Sequence, residues 1–237
     1  MIKFLTNHIL FIFDFFHKRK IIKFLNKSNF NSFNIFLDIG AHKGESIEFF
    51  SKHLKIKKIY SFEASSENFI ILKKKFQNNK FLFVENIALS SKIAQKIFYQ
   101  CDESSSSTLS KINKNSNYFK KKMKYFGFVK PEDFFKQTMV KTNTLDNYLD
   151  EKKITAIDLI KLDTEGHELE ILKGLGKKIN NVKIIIFEHH FDNMLEKNYT
   201  FSVINEFLKK NYFKRIFKIK MPFRKSFEYI YINSKLN

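Results

Sequence analysis

The chain reads Phe36-Leu37-Asp38-Ile39-Gly40-Ala41-His42-Lys43-Gly44-Glu45 at the point that decides its fold. Apolar residues run into a glycine turn, and a helical pattern begins after the turn. Such a turn can bring bare backbone close to a ligand at the N-terminus of the following helix. The spacing is Gly-x-x-x-Gly behind an aspartate, which differs from the Gly-x-Gly-x-x-Gly of dinucleotide-binding enzymes. We therefore expect a ligand-binding turn, and the spacing disfavours a nicotinamide oxidoreductase.

Short apolar runs alternate with helical patterns from Ile35 onwards. This alternation predicts βαβ units and an α/β fold whose mainly parallel sheet has about seven strands, and 237 residues suit one such domain. Two final alternating runs, 213–219 and 227–232, predict an antiparallel C-terminal hairpin. The five expected core strands are 35–39, 58–63, 81–85, 156–162 and 182–187.

Residues 1–34 precede the main domain, which we place at 35–237. Apolar residues recur there at helical spacing and predict an amphipathic helix with a basic end at residues 17–20. The recurring positions are Leu5, Ile9, Ile12, Phe13 and Phe16. We favour a helix packed over the sheet. The alternative is a weak contact between this helix and a membrane surface.

Residues 100–140 break the strand–helix rhythm. The segment contains a serine run and then lysine- and asparagine-rich sequence. Long irregular segments within a compact domain often carry function. We interpret this one as a lid or a substrate-contacting insertion.

The formal net charge of +19 suggests an anionic partner. However, only three of the 43 basic residues are arginines, namely Arg19, Arg215 and Arg224. Arginine supplies the bidentate fork that specific phosphate recognition favours. The abundance of Lys, Asn, Ile and Phe, all with A/T-rich codons, points instead to a genome of biased base content. Nucleic acid is therefore a disfavoured partner.

Cys101 is the only cysteine, so no intramolecular disulfide can form. A lone cysteine is more often a small buried hydrophobe than a nucleophile. No segment approaches the roughly 20 apolar residues that a membrane-spanning helix needs. The expected location is the cytoplasm.

Polar residues follow each predicted core strand. Ligands of open α/β sheets bind beyond the carboxyl ends of the strands, so these residues form a candidate site. The set comprises Asp38 to Gly44, Glu63, Glu85-Asn86, Asp163 to His167 and Glu188 to His190. Glu63 lies about twenty residues after the glycine turn, which is the spacing of an acid that accepts hydrogen bonds from ribose hydroxyls.

The motifs resemble those of the FkbM-type methyltransferase family. They are Asp38 to Gly44, Phe62-Glu63-Ala64, Asn86-Ile87-Ala88, Thr144-Leu145-Asp146 and the run Lys161-Leu162-Asp163-Thr164-Glu165-Gly166-His167-Glu168. The resemblance covers about residues 35–190. It implies a Rossmann-like class I fold that transfers a methyl group from S-adenosyl-L-methionine (SAM), usually to a hydroxyl of a saccharide or another secondary metabolite.

The resemblance also implies site roles. Asp38, Gly40 and Gly44, with Ala41 and His42 in the same turn, would hold the methionine end of SAM. Glu63 would take the ribose and Asn86 would lie near the adenine. Asp163 would face the sulfonium and the acceptor. His42, Lys43 and His167 depart from the commoner family pattern.

A hydroxyl acceptor must lose its proton as the new bond forms. The candidate bases are Asp163, Glu165, His167 and His189. A carboxylate beside a sulfonium stays charged and suits orientation, whereas a histidine titrates near neutrality. A metal on Asp163, Glu188 and His189 is a less favoured alternative to a hydrogen-bonded cluster at the strand ends.

Two other functions remain open. One is ribose methylation of RNA, motivated by the charge. The exocyclic amino methylases with an Asp-Pro-Pro-Tyr motif are excluded, because Pro131 and Pro222 are the only prolines. The second is a non-catalytic binding module with a SAM-type fold.

Overall fold

The computed structural model describes residues 2–102 and 104–236, and the side chains of residues 13–102 and 105–236. Twelve strands are formed within this part of the chain. They are β1 (Ser32–Ile39), β2 (Lys55–Phe62), β3 (Leu82–Glu85), β4 (Ala88–Leu89), β5 (Ala94–Cys101), β6 (Lys111–Ile112), β7 (Phe135–Asn143), β8 (Ile157–Leu162), β9 (Val182–His190), β10 (Leu195–Glu196), β11 (Phe213–Lys220) and β12 (Ser226–Asn233).

Eight α-helices accompany these strands in the described residues. They are α1 (Ile2–Lys27), α2 (Glu45–His53), α3 (Ser66–Lys75), α4 (Asn117–Phe126), α5 (Pro131–Phe134), α6 (Leu145–Glu151), α7 (Glu168–Lys173) and α8 (Phe201–Lys210). None of the helices in the described part is both long enough and apolar enough to cross a bilayer.

The main sheet has seven strands in the order β11-β12-β9-β8-β1-β2-β3. The strands from β9 to β3 run parallel, whereas β12 and β11 are antiparallel to their neighbours. This confirms the expected α/β fold, the sheet of seven strands and the closing hairpin. The chain moves outward from β1 on one side and from β8 on the other, so the switch point of the sheet lies between these two strands.

The central strands are buried on both faces, as parallel strands covered by helices are. All six residues of β8 are buried. Successive side chains point to opposite faces, so Leu37 and Ile39 join one hydrophobic core and Phe36 joins the other. The carboxyl ends of the parallel strands therefore stand at one edge of a rigid layer.

Helix α1 covers the face of the sheet that carries Phe36. Ile21, Ile22 and Leu25 are buried in that core, and His17 pairs with Glu228 of β12. The expected apolar stripe is not the packed surface, because its described members Phe13 and Phe16 are 41% and 55% exposed. Leu5, Ile9 and Ile12 lie outside the residues whose side chains are described.

The segment at 100–140 is folded, contrary to the irregular structure that the sequence suggested. Strands β4, β7 and β5 form a small sheet of their own, with the order β4-β7-β5. Phe119 and Phe134 are fully buried beneath it, and Cys101 is 1% exposed in the same core. The cysteine is thus a buried hydrophobe. Aromatic side chains, which the lysine-rich composition obscured, supply the core of the insertion.

Candidate functional site

A cavity opens where β1, β2 and β8 end, at the switch point of the main sheet. It encloses about 550 Å³ between protein atoms, its open mouth included. Five of the residues that were given an individual site role from the sequence line it: Gly40, His42, Glu63, Asp163 and His167. The apolar part of the wall includes Phe62, Ile87, Leu89, Phe98 and Ile171.

The backbone N–H groups of the glycine turn are used within the protein. Those of Gly40 and Ala41 donate to the Phe62 carbonyl oxygen at 3.0 and 3.1 Å, and that of Gly44 donates to Ala41. The His42 N–H donates to Glu63 and the Lys43 N–H to Glu45. The N–H groups of the turn therefore hold its shape, and the expected binding of a ligand by its backbone stays a prediction.

The two glycines are needed for packing inside the protein. A Cβ on Gly40, whose φ is +82°, would lie 1.9 Å from the Asp163 carbonyl oxygen. A Cβ on Gly44, with φ +88°, would meet Phe76 at 2.4 Å. Gly40 thus lets the turn after β1 touch the turn after β8, and Gly44 lets α2 pack against the end of α3.

Glutamate side chains lie in the first turn of α2. Glu45 occupies the first helical position and accepts hydrogen bonds from the His42 ring and the Lys43 N–H. Burial alone would raise the pKa of Glu45, but the hydrogen bond to His42 lowers it to about 2. A carboxylate at this position opposes a phosphate there, because the helix dipole is already compensated. The site does not suit the pyrophosphate of a nicotinamide cofactor.

Glu63 follows the end of β2 and connects the glycine turn with the start of α3. Its Oε2 accepts from the His42 N–H at 2.7 Å, and its Oε1 accepts from the Ser65 N–H at 2.8 Å. Burial raises its pKa, while these backbone hydrogen bonds oppose the rise. A carboxylate has about four lone-pair positions, so both oxygens keep capacity for hydroxyl donors in the cavity.

Asn86 is exposed and is not among the residues that line the cavity. Its side-chain amide donates to the carbonyl oxygens of Glu63 and Ala64, and its Oδ1 accepts from the Ser66 hydroxyl. It fixes the turn after β2 against the end of β3. Ile87, the next residue, lines the cavity, and the expected position of Asn86 near the adenine stays a prediction.

Asp163 lines the cavity at the end of β8. Lys161 Nζ lies 2.8 Å from Asp163 Oδ2, and the Lys161 side chain is only 4% exposed. Burial alone would raise the pKa of Asp163, but the ammonium of Lys161 lowers it to about 2. Asp163 is therefore an ionised, fixed carboxylate, which suits orientation better than proton transfer.

Asp38 is not among the residues that line the cavity, and its expected contact with a ligand stays a prediction. It lies one residue before the end of β1, on the face covered by α1, and it pairs in register with Lys161. It is fully buried and neither carboxylate oxygen has a hydrogen-bond partner. Burial raises its pKa to about 6, and the attraction of Lys161 offsets this only in part. Its influence on the cavity passes through Lys161.

Glu168 is a site residue whose role the sequence analysis did not identify. It is 1% exposed, and its Oε1 accepts from the N–H groups of Thr164 and Gly166 at 3.2 and 3.0 Å. Its Oε2 accepts from the Tyr199 hydroxyl at 2.7 Å. The run from Lys161 to Glu168 thus builds one turn: Lys161 fixes Asp163, and Glu168 fixes the backbone after it.

His167 lines the cavity but is a poor base. Lys96 donates to Ser90 Oγ at 2.8 Å, and the Ser90 hydroxyl is then free to donate to His167 Nε2 at 3.0 Å. The acceptor nitrogen of the ring is therefore occupied. Burial lowers the pKa of His167 to about 4, and the charge of Lys96 adds to this effect.

His189 points away from the cavity edge, because it lies on the opposite face of β9 from Glu188. Its ring contacts those of Phe191, Tyr199 and Phe201. Burial lowers its pKa to about 3, with a smaller contribution from Lys197. The lowered pKa makes His189 a weak base, and a part for it in the reaction stays a prediction.

Glu165 lies in the turn beside Asp163, with φ +52°, and belongs to a charged cluster. His190 Nε2 is 3.3 Å from Glu165 and 3.5 Å from Glu188, while its Nδ1 is 3.6 Å from Asp192. Burial would lower the pKa of His190, but Glu165 and Glu188 raise it to about 10. Burial raises the pKa of Glu165 to about 7, against the opposing effect of His190.

The sequence analysis named His190 only as part of the strand end. Alternation along β9 was the available signal, since it places residue 190 with residue 188 and apart from residue 189. The same alternation separates Glu188 from His189, so the proposed metal ligands do not converge. Among the described residues, no three His, Cys, Asp or Glu side chains are arranged to hold a metal ion.

The insertion completes the site. Ser105, Ser107, Thr108 and Leu109 line the cavity opposite the glycine turn. The Thr108 hydroxyl donates to the Glu165 carbonyl oxygen at 2.7 Å. The loop after β5 is thus fastened directly to the turn that carries Asp163, so the insertion and the sheet edge enclose the cavity together.

A family model described as "Methyltransferase FkbM domain" matches residues 38–215, which is most of the chain. The chain belongs to the FkbM methyltransferase domain family. The match begins at Asp38 in β1 and extends through β9 and α8 into β11, so it includes every residue that lines the cavity.

A curated protein similar to this FkbM-family chain is the hexuronic acid methyltransferase AglP of Haloferax volcanii. The two are 35% identical over 51 residues, which is 22% of this chain and 21% of AglP. The alignment thus spans only about a fifth of that relative.

Solved structures show the same fold. The methyltransferase FkbM from Methylobacillus flagellatus KT has a TM-score of 0.51 at 16% identity, over 85% of this chain and 44% of that chain. The magnesium protoporphyrin IX methyltransferase ChlM from Synechocystis PCC 6803 with bound SAM has a TM-score of 0.53 at 10% identity. That alignment covers 94% of this chain and 81% of ChlM. Our chain therefore spans less than half of the Methylobacillus protein.

Proposed function

We propose that this protein transfers a methyl group from SAM to a hydroxyl of a saccharide or a related small molecule. The observation that carries the proposal is the cavity at the switch point of an FkbM-family domain, with the carboxylates of Glu63 and Asp163 both in its wall. ChlM, which shares the fold, is described with bound SAM, and AglP is described as a methyltransferase of hexuronic acid. Both descriptions support the proposal.

The residues of the cavity fit SAM. Glu63 keeps lone pairs for two ribose hydroxyls, and the apolar wall that includes Ile87 and Leu89 suits a flat adenine ring. The ionised Asp163 suits a cationic group near the end of β8. The acid at the start of α2 leaves no place for a phosphate, and SAM has none. When bound, SAM supplies an electrophilic methyl group.

Glu165 is our choice for the group that takes the acceptor proton. It is not among the residues that line the cavity, but it lies in the same turn as Asp163, and its pKa of about 7 makes it the best matched of the four candidates to neutral pH. Asp163 is too acidic, and His167 and His189 are too weakly basic. Asp163 would orient the acceptor, while His190 would stabilise the Glu165 carboxylate.

An acceptor screen tests this function. The protein is incubated with methyl-labelled SAM and a panel of neutral hexosides, amino sugars, hexuronic acid glycosides and RNA. Transfer to a sugar oxygen, located by NMR of the product, is the expected result. Transfer to RNA alone, or to nitrogen, would overturn the proposed acceptor class. Tight SAM binding without transfer to any member of the panel would favour the non-catalytic module.

A further inference from the structure

Exposed phenylalanines gather at the edge of the sheet that carries the cavity. The turn between β11 and β12 lies at this edge, because Ser226 pairs in register with His190 at the end of β9. Asp14 of α1 reaches the same turn, and its carboxylate is 2.9 Å from the Arg224 guanidinium. The part of α1 around Asp14 therefore lies beside the hairpin turn.

The aromatic edge consists of Phe13, Phe16 and Phe223. Their exposed fractions are 41%, 55% and 71%, and the rings of Phe13 and Phe223 meet edge to face at 4.9 Å. Phe223 has φ +58°, a left-handed conformation that costs energy for a residue other than glycine. The turn thus exposes the large apolar ring of Phe223 to solvent, and the backbone at this residue is strained.

Helical geometry shows that this edge is not part of the packing of α1 on the sheet. An α-helix advances about 100° per residue, so Phe16 lies about 180° from the buried Leu25 and about 140° from the buried Ile21. Phe16 is therefore directed away from the sheet.

Lysine side chains lie on the outward side of α1, between Phe16 and the C-terminus of the helix. Lys20, Lys23 and Lys27 are exposed and lie within about 40° of Phe16 around the helix. Lys225 is exposed beside Phe223 on the hairpin turn. Apolar rings flanked by lysines are the chemistry of helices that lie in the interface of an anionic bilayer.

We propose that the aromatic edge binds the surface of an anionic lipid bilayer. The phenyl rings of Phe13, Phe16 and Phe223 enter the headgroup region, and Lys20, Lys23 and Lys225 contact lipid phosphates. The proposal does not depend on the methyl-transfer chemistry.

Vesicle co-sedimentation of the full chain tests the proposal. The probes are vesicles of phosphatidylglycerol and phosphatidylcholine in equal parts, and vesicles of phosphatidylcholine alone. We expect the wild type to bind the anionic vesicles and to bind the neutral ones much more weakly. The double variant Phe16→Ser/Phe223→Ser should partition roughly tenfold less, because two phenyl rings no longer leave water.

Matched variants exclude general effects. Phe81→Ser/Ile70→Ser removes two side chains that are 65% and 64% exposed elsewhere on the surface, and it should bind like the wild type. Lys20→Glu/Lys23→Glu should weaken binding more than Lys80→Glu/Lys177→Glu, although both pairs change the net charge equally. Thermal unfolding confirms that each variant is folded.

Three results would overturn the proposal. One is no binding of the wild type to anionic vesicles at low salt. Another is equal loss of binding in the Phe16/Phe223 and Phe81/Ile70 variants. The third is a wild-type dimer that Phe16→Ser/Phe223→Ser converts to a monomer without any vesicle binding, which would assign the surface to a second copy of the chain.

Discussion

Substitution of Gly40 by alanine tests how the cavity is built. The new Cβ would lie 1.9 Å from the Asp163 carbonyl oxygen, whereas ordinary contact begins near 3.4 Å. The turns after β1 and β8 must therefore separate by about 1.5 Å, and Asp163 moves with its backbone. The alanine must also adopt a φ near +82°. We expect a loss of both stability and SAM binding.

The two penalties can be measured separately on other glycines of the chain. Gly127 has φ +77° and open space around it, so Gly127→Ala isolates the backbone penalty of about 1–2 kcal/mol. Gly174 has φ −67°, and its Cβ would lie 2.2 Å from the Ser90 carbonyl oxygen. Gly174→Ala therefore isolates the overpacking penalty of about 1–3 kcal/mol. Gly40→Ala should combine both penalties, about 2–5 kcal/mol.

Thermal unfolding and SAM calorimetry measure these effects. A loss of about 2–5 kcal/mol corresponds to a fall in Tm of roughly 4–20 °C for a chain of this size. Gly40→Ala should show the largest fall and at least tenfold weaker SAM binding, and Gly127→Ala should bind SAM normally. If Gly40→Ala lost no more stability than Gly127→Ala and bound SAM like the wild type, the contact between the two turns would be refuted.

Three further predictions concern charged groups. Asp38 has a pKa of about 6 in the folded protein against an ordinary value of 3.8. Protonation of Asp38 therefore stabilises the folded protein at low pH, and this contribution is lost as the pH rises from about 4 to 6. In urea unfolding, Asp38→Asn should therefore be more stable than the wild type at pH 7, by up to about 3 kcal/mol, and equally stable near pH 4. Lower stability of the variant at pH 7 would contradict this. His17→Ala leaves Glu228 buried without its partner and should cost about 3–5 kcal/mol, and His17→Leu/Glu228→Leu should recover most of it. No recovery in the double variant would count against that pairing. With an identified acceptor, the rate of methyl transfer should rise with pH through about 7. Glu165→Gln should lower kcat about 10²–10⁴-fold without weakening SAM binding. A pH profile that is the same in the variant and the wild type would remove Glu165 as the base.

Periodicity predicted the fold because it reports burial. The central strands are mostly apolar and are buried on both faces, so strand type and position followed from local pattern. The insertion was harder to predict. Its core residues, such as Phe119 and Phe134, are separated by lysines and a glycine, and they meet only through long-range packing.

At the candidate site, whether a predicted residue lines the cavity depends on whether it follows its strand or lies within it. Glu63 and Asp163 directly follow their strands and line the cavity, as the sequence predicted. Asp38 lies one residue earlier, so strand alternation places it on the other face of the sheet. The partner of Glu165 depends on how β9 lies beside β8, which local sequence does not determine.

The central claim is that the cavity between the turns after β1, β2 and β8 binds SAM. Calorimetric titration of SAM into wild type, Glu63→Gln and Glu67→Gln tests it most directly, because Glu67 is an exposed glutamate nearby on α3. We expect saturable binding by the wild type, roughly tenfold to hundredfold weaker binding by Glu63→Gln, and unchanged binding by Glu67→Gln. Absence of SAM binding by the folded wild type, or equal affinities in all three proteins, would contradict it.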